Sequence, residues 1–312
     1  MRRLFLFSVP VCLALALAWA QEETTIKVDV DLVSVMASVR DKRGTFVKDL
    51  KKDDFTVIED GKKQDLRYFS QESNLPMTIG LLIDVSKSQE NLIEIEKRAG
   101  SQFFNSVLKN KDMAFLISFG SEAELLQDLT NSQRLLSRGL DGLRLNASVG
   151  GLGPSPTGAK QRGTIMYDAV YLAANEKLKG EVGRKVIVLI TDGMDFGSRV
   201  SREEAIAAAH KADAIIYSIY YVDPRGYGGF GYSDGDLKRM SEDTGGRVFR
   251  VDRRNTLEDI FKQIQEEMRS QYALGYASSN GNKDGSFRKI EIRTANKDLK
   301  VQARKGYYAG KS

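Results

Sequence analysis

The chain has 312 residues, a formal charge of +5, one Cys and one His. It is long enough for one large domain or two medium ones. The inventory excludes thiolate metal sites, His clusters and Cys–His dyads, and the mild charge, with no basic run interleaved with aromatics, argues against nucleic acid.

Residues 1–20 have the layout of a cleaved signal peptide. Arg2 and Arg3 form a basic start, residues 4–17 an apolar core too short for a membrane span, and Ala18-Trp19-Ala20 a small-x-small cleavage site. An uncleaved N-terminal anchor is the alternative. Cys12 sits inside the apolar core after Val11, so no lipid-anchored Cys is expected. The expected mature protein is exported, periplasmic or extracellular. Loss of Arg2 and Arg3 lowers its charge from +5 to +3, and loss of Cys12 leaves no disulfide, so the core must hold the fold alone.

Residues 21–75 read as a small N-terminal β module. Ile26, Val28, Val30 and Leu32 alternate in one phase, and Val33, Val35, Ala37 and Val39 in the other. Such a flip predicts a bulge or a strand changing sheets. Lys42-Arg43-Gly44 is a turn. Segments 55–58 and 66–69 flank Glu59-Asp60-Gly61-Lys62, and Asp-Gly predicts a hairpin.

From residue 76 to 270 strands alternate with helices, which predicts a doubly wound, mostly parallel α/β sheet. Six strands are expected, at 78–84, 113–119, 185–191, 214–222 and 247–251, with a short edge strand near 123–128. Helices are expected at 88–109, 132–143, 164–179, 201–212, 234–243 and 256–270. The first would bury Leu92, Ile95, Ala99 and Phe103; the last, Leu257, Ile260, Phe261, Ile264 and Met268. Ser201-Arg202-Glu203-Glu204 and Asn255-Thr256-Leu257-Glu258 have the form of capping boxes. Residues 271–312 return to strands, at 272–276, 287–294 and 299–304, with no helices to cover them. They are expected to pair with 21–75 in a β-sandwich, with the α/β domain inserted between.

The apolar run 78–83 reads as a strand buried on both faces, ending in Asp84, Ser86 and Ser88 at alternate positions. Gly163-Thr164 opens a helix, and Thr191-Asp192-Gly193 ends a second buried strand. If the two strands are neighbours, Asp84 and Asp192 project from their carboxyl ends at a topological switch point, where open α/β sheets bind ligands. Oxygen-only donors suit a hard divalent cation.

This ordered set, Asp84-x-Ser86-x-Ser88, then Thr164, then Asp192, resembles the metal-ion-dependent adhesion site of von Willebrand factor A (VWA) domains. The resemblance covers about residues 76–270. The flanks, with Asp54-Phe55, Glu59-Asp60-Gly61, residues 272–276 and Gly306-Tyr307-Tyr308, are similar to the VWFA-related secreted proteins common in acidobacteria. It implies that Ser86, Ser88 and Thr164 coordinate Mg²⁺ or Mn²⁺ through hydroxyls, and that Asp84 and Asp192 bind directly or through water. An open position would accept a Glu or Asp carboxylate from a protein partner, in adhesion or envelope assembly. No base or nucleophile is required, so no enzyme is expected. Lys87 departs from the family, which often has Gly there; it is expected to face solvent.

Other motifs are weaker. Gly226-Tyr227-Gly228-Gly229-Phe230-Gly231 fits a dinucleotide fingerprint, but Asp223-Pro224-Arg225 lengthens its turn and two aromatics crowd it. Two further functions therefore stay open: a dinucleotide-dependent oxidoreductase using that loop, and a structural module with an unfilled metal site. Residues 280–291 have EF-hand spacing between strands rather than helices, so a hairpin loop is expected. Residues 153–160 resemble a P-loop, but Ala159 breaks the Gly-Lys pair. His210, late in its helix, is expected at the surface or on the helix dipole.

Overall fold

The computed structural model describes residues 32–71, 75–146, 163–223 and 233–310. The expected signal peptide, the P-loop-like stretch and the Gly226–Gly231 motif lie outside these residues.

Four strands come first: β1 (Leu32–Arg40), β2 (Phe55–Glu59), β3 (Lys62–Gln64) and β4 (Leu66–Gln71). The alternating region runs β5 (Met77–Asp84), α1 (Ile93–Val107), β6 (Met113–Phe119), β7 (Ala123–Thr130) and α2 (Gln133–Asp141). It continues through α3 (Met166–Leu172), β8 (Arg184–Thr191), α4 (Arg202–Lys211) and β9 (Ala214–Tyr220). It ends with α5 (Gly235–Thr244), β10 (Val248–Arg250) and α6 (Leu257–Met268). Last come β11 (Tyr272–Ala277), β12 (Phe287–Thr294), β13 (Lys300–Ala303) and β14 (Gly306–Tyr308).

The central sheet has six strands in the order β10-β9-β8-β5-β6-β7, parallel except for β7. β5 is buried at every position. Its alternate side chains serve opposite layers, as strand geometry demands. Ile79, Leu81 and Ile83 pack with α1, α2 and α6, while Leu82 packs with α3, α4 and α5. From β5 the chain moves to β6 on one side; from β8 it moves to β9 on the other. The neighbours β5 and β8 therefore form the switch point.

The remaining strands make a β-sandwich of two sheets, β13-β1-β11-β4 and β14-β12-β2-β3. Each sheet mixes strands from before and after the α/β region: Val35 pairs with Leu274, and Val57 with Ile292. The second phase of the N-terminal alternation is buried; Ile26, Val28 and Val30 of the first phase lie outside the described residues. Val33, Val35, Ala37 and Val39 meet Tyr272, Leu274 and Tyr276 and the facing Phe55, Val57 and Ile290. Two buried contacts tie the sandwich to the α/β layers. Glu267 of α6, fully buried, accepts from Arg40 of β1 and from Arg247 Nε at 2.9 Å. His210 of α4 lies edge-on to Phe287 and Tyr308, centroids 5.4 and 6.3 Å away.

Several details differ from the sequence expectations. The hairpin partner of β2 is β3, not the 66–69 strand, which crosses into the other sheet beside β11. Buried Gln64 marks the crossing, exchanging hydrogen bonds with Ser279 at 3.0 and 2.9 Å. α1 starts at Ile93 rather than 88, because a 3₁₀ turn at Lys87–Gln89 comes first. α3 widens into a π-helical stretch over Ala173–Leu178. The second cap is shifted by one residue: Thr256, not Asn255, accepts from the backbone N–H of Asp259 at 3.2 Å. His210 is 5 % exposed, because the sandwich aromatics cover a helix end that local pattern alone leaves open. Strand β14 has no clear signal in its three residues.

Candidate metal centre

The rim of the switch point is assembled from the ends of β5 and β8. Ile83 pairs with Ile190, which leaves Asp84 beside Thr191 one residue beyond. Asp84 is fully buried. It accepts from the Ser86 backbone N–H at 2.9 Å and from Thr191 Oγ1 at 2.6 Å. Burial, and then the charge of Asp192, push its carboxyl up to about 7, against the pull of the Ser86 and Thr191 hydrogen bonds.

The turn after β5 aims the two serines at the end of β8. Ser86 Oγ and Ser88 Oγ are 3.0 Å apart. Ser88 Oγ donates to Asp192 Oδ2 at 2.5 Å, and Asp192 Oδ1 accepts from the Met194 N–H at 3.1 Å. Gly193, with φ of +83°, makes the sharp turn that holds Asp192 at the strand end. Lys87 pairs with Glu90 and its side chain is 71 % exposed, so it points to solvent and away from these oxygens.

Thr164 reaches the rim by its backbone. Its carbonyl accepts from Phe196 N at 3.0 Å and Gly197 N at 3.1 Å, in the loop that follows Asp192. The next residue, Ile165, donates to the Gly120 carbonyl beyond β6 at 2.9 Å. Gly163 permits this approach: a Cβ there would lie 2.6 Å from Phe196 Cβ. The structure thus joins Asp84, Ser86, Ser88 and Asp192 closely and sets Thr164 on the adjoining loop. Among the described residues no hydrogen bond joins the Thr164 side chain to the other four.

The donors are two carboxylates and hydroxyls, with no nitrogen or sulfur. That chemistry fits a hard divalent cation. Among the described residues no group of three or more His, Cys, Asp and Glu side chains is placed to hold a metal, so the hydroxyls are indispensable to such a site.

Residues the pattern did not single out complete the surroundings. Thr191 anchors Asp84. Glu96 of α1 is fully buried with neither carboxyl oxygen hydrogen-bonded, and burial, with the charge of Asp84 added, raises its pKa well above the usual carboxylate range. It occupies the core face where Ile95 was expected; Ile95 is only half-buried. The signal was an acid spaced three residues from both Ile93 and Ala99.

The EF-hand spacing does not gather ligands. The Asn280 carbonyl accepts from Arg288 Nη1 at 2.6 Å and the Asn282 carbonyl from Arg288 Nη2. Asp284 accepts from Ser286 N at 2.9 Å and Glu291 pairs with Arg293. A guanidinium fills the loop. It is not the expected hairpin connection: β11 pairs with β1 and β4 while β12 pairs with β2 and β14, so the loop carries the chain from one sheet of the sandwich to the other.

The family model for the von Willebrand factor type A domain matches residues 78–263. The chain belongs to the von Willebrand factor type A (VWA) family. No curated protein matches it. Proximal thread matrix protein 1 from the mussel byssus superposes with a TM-score of 0.51 at 15% identity over 68% of this chain and 51% of that one. The same protein with a zinc-occupied MIDAS motif gives 0.52 at 16%, over 68% and 50%. The vWF domain of the type V pili tip protein Mfa5 from Porphyromonas gingivalis gives 0.47 at 14%, over 62% and 95%. This chain thus spans about half the length of the byssus protein. The family match, with the likeness to the byssus protein, establishes the VWA fold. Among the described residues no helix is long and apolar enough to cross a membrane.

Proposed function

We propose that this VWA protein is an exported, non-enzymatic adhesion-type module. In this reading it binds a protein partner through a divalent cation, Mg²⁺ or Mn²⁺, held by Asp84, Ser86, Ser88, Thr164 and Asp192. The observation that carries the proposal is the hydrogen-bonded chain Ser86–Ser88–Asp192, which brings the oxygens of two strand ends together. When bound, the cation supplies a Lewis-acidic open position for a Glu or Asp carboxylate of the partner. The chain's own residues do the rest. Thr191 orients Asp84, the 3₁₀ turn holds Ser86 and Ser88, and Gly193 fixes Asp192. The expected signal peptide places the site outside the cytoplasm, in adhesion or envelope assembly.

The test is a thermal melt of the purified mature protein in chelator, then with Mg²⁺ or Mn²⁺ added. Zn²⁺ joins the series because the byssus protein carries zinc at its MIDAS motif. The proposal expects a saturable rise in Tm that the Asp84→Ala variant lacks. Pull-downs from envelope extract, with and without Mg²⁺, then identify the partner. No metal-dependent shift in the wild type overturns the reading in favour of a purely structural module.

A further inference from the structure

A cavity of about 350 Å³ lies at the seam between the sandwich and the starts of β8 and β9. It is at the opposite pole from Asp84. β8 runs from Arg184 at the cavity to Thr191 at the rim, roughly 20 Å at strand rise. Its size falls within the range of small-molecule pockets.

One wall is apolar for a simple geometric reason. In β11, Tyr272, Leu274 and Tyr276 face the sandwich core, so Ala273 faces outward into the seam. Met36 does the same from β1, and Ile215 of β9 closes the far side.

The polar wall is unusual in three respects. Asp213 has a φ of +54°, a left-handed conformation that side-chain-bearing residues rarely adopt. Glycine would relieve it, yet an acid stands there and pairs with Arg304 of the connection after β13. Arg304 also donates to the Ser34 carbonyl at 2.5 Å, and its Nε is buried with no partner. His210 lines the same cavity, is 5 % exposed, and its Nδ1 has no partner. Buried polar atoms are nearly always satisfied, so two orphans at one cavity call for an explanation. Arg184 donates to the Met268 and Leu75 carbonyls and serves the fold. Lys185, whose Nζ donates to the Glu181 carbonyl at 3.1 Å, also lines the cavity, so Arg304 and Lys185 outnumber the one acid, Asp213, and the wall is cationic.

We infer that this seam cavity binds a small organic carboxylate with an apolar body. The carboxylate would meet Arg304 and Lys185, and the body would lie against Met36, Ile215 and Ala273. The ligand would bridge the VWA layers and the sandwich, independently of the cation site.

Octanoate and benzoate are the probes, with octanol as the uncharged control. Each is titrated into the full mature protein, read by Tm and by calorimetry. A saturable, millimolar-or-tighter response to octanoate or benzoate, weaker at least tenfold for octanol, is expected. It should persist in chelator and in the Asp84→Ala variant, so that it stands or falls apart from the metal reading. Ala273→Leu, which pushes a side chain into the apolar wall where the ligand body would lie, should weaken it at least tenfold, and Lys185→Gln should weaken it without removing an internal ion pair. Absence of a saturable response in the wild type overturns the inference. So does an undiminished response in Ala273→Leu, or one of equal strength to octanol.

Discussion

Ser88 Oγ donates to Asp192 Oδ2 at 2.5 Å across 104 residues of sequence. That contact fastens the turn after β5 to the end of β8, and it is where two separately folded strand ends become one surface. If both residues serve one cation, their losses are not additive. Ser88→Ala and Asp192→Asn should each remove the Mn²⁺-dependent rise in Tm, and the double variant should look like either single one. Independent, additive losses would show that they do not share a ligand.

Thr191 offers a test that needs no metal. Its hydroxyl is bonded to a fully buried carboxyl at 2.6 Å. Thr191→Val keeps the shape and deletes the donor, leaving Asp84 underbonded. Urea denaturation in chelator should show a loss of about 1–3 kcal/mol with an unchanged m-value. A change within about 0.5 kcal/mol, typical of inert surface positions, would contradict the role given to Thr191.

The α/β frame was legible because burial on both faces erases alternation, and the gathering of Asp84, Ser86, Ser88 and Asp192 because strand ends place their last polar residues at the switch point. What stayed hidden depends on contacts between distant segments. Glu96 reads as a surface acid until α1 is seen to turn it inward. His210 reads as a helix-end residue until Phe287 and Tyr308 cover it. The crossing at Gln64 depends on Ser279, more than two hundred residues later, so no local pattern can reveal that β4 leaves its hairpin.

Glu96 predicts an alkaline liability. Its folded pKa lies well above the ordinary 4.5, chiefly through burial. As pH rises past that ordinary value, the unfolded chain releases a proton that the folded chain keeps, so stability falls with rising pH. Glu96→Gln carries no such proton. Its stability should decline less than that of the wild type as pH rises above the ordinary carboxylate range. Parallel pH profiles of the two proteins, measured by urea melts, would remove Glu96 as the cause.

His210 predicts the opposite slope. Burial, and then the Arg304 charge, push it down to about 4 from 6.5, while Asp243 and Asp213 pull it back. As pH falls through 6.5 towards 4, the unfolded chain takes up a proton that the folded chain refuses, and stability drops. The loss is on the order of 3 kcal/mol at the acid end of that window. His210→Gln should lack this component, and comparison of the two acid melting curves measures it.

The sandwich has a consequence for how the chain is made. Val35 cannot meet Leu274, nor Val57 meet Ile292, until the whole VWA region has been synthesised between them. Closing so long a loop is slow unless the intervening domain folds first and draws its two ends together. Until then β1 and β2 wait with unpaired edges, open to strangers. The VWA domain therefore acts as the clasp for its own neighbour: whatever weakens the one delays the other, and leaves sticky strands exposed in the meantime.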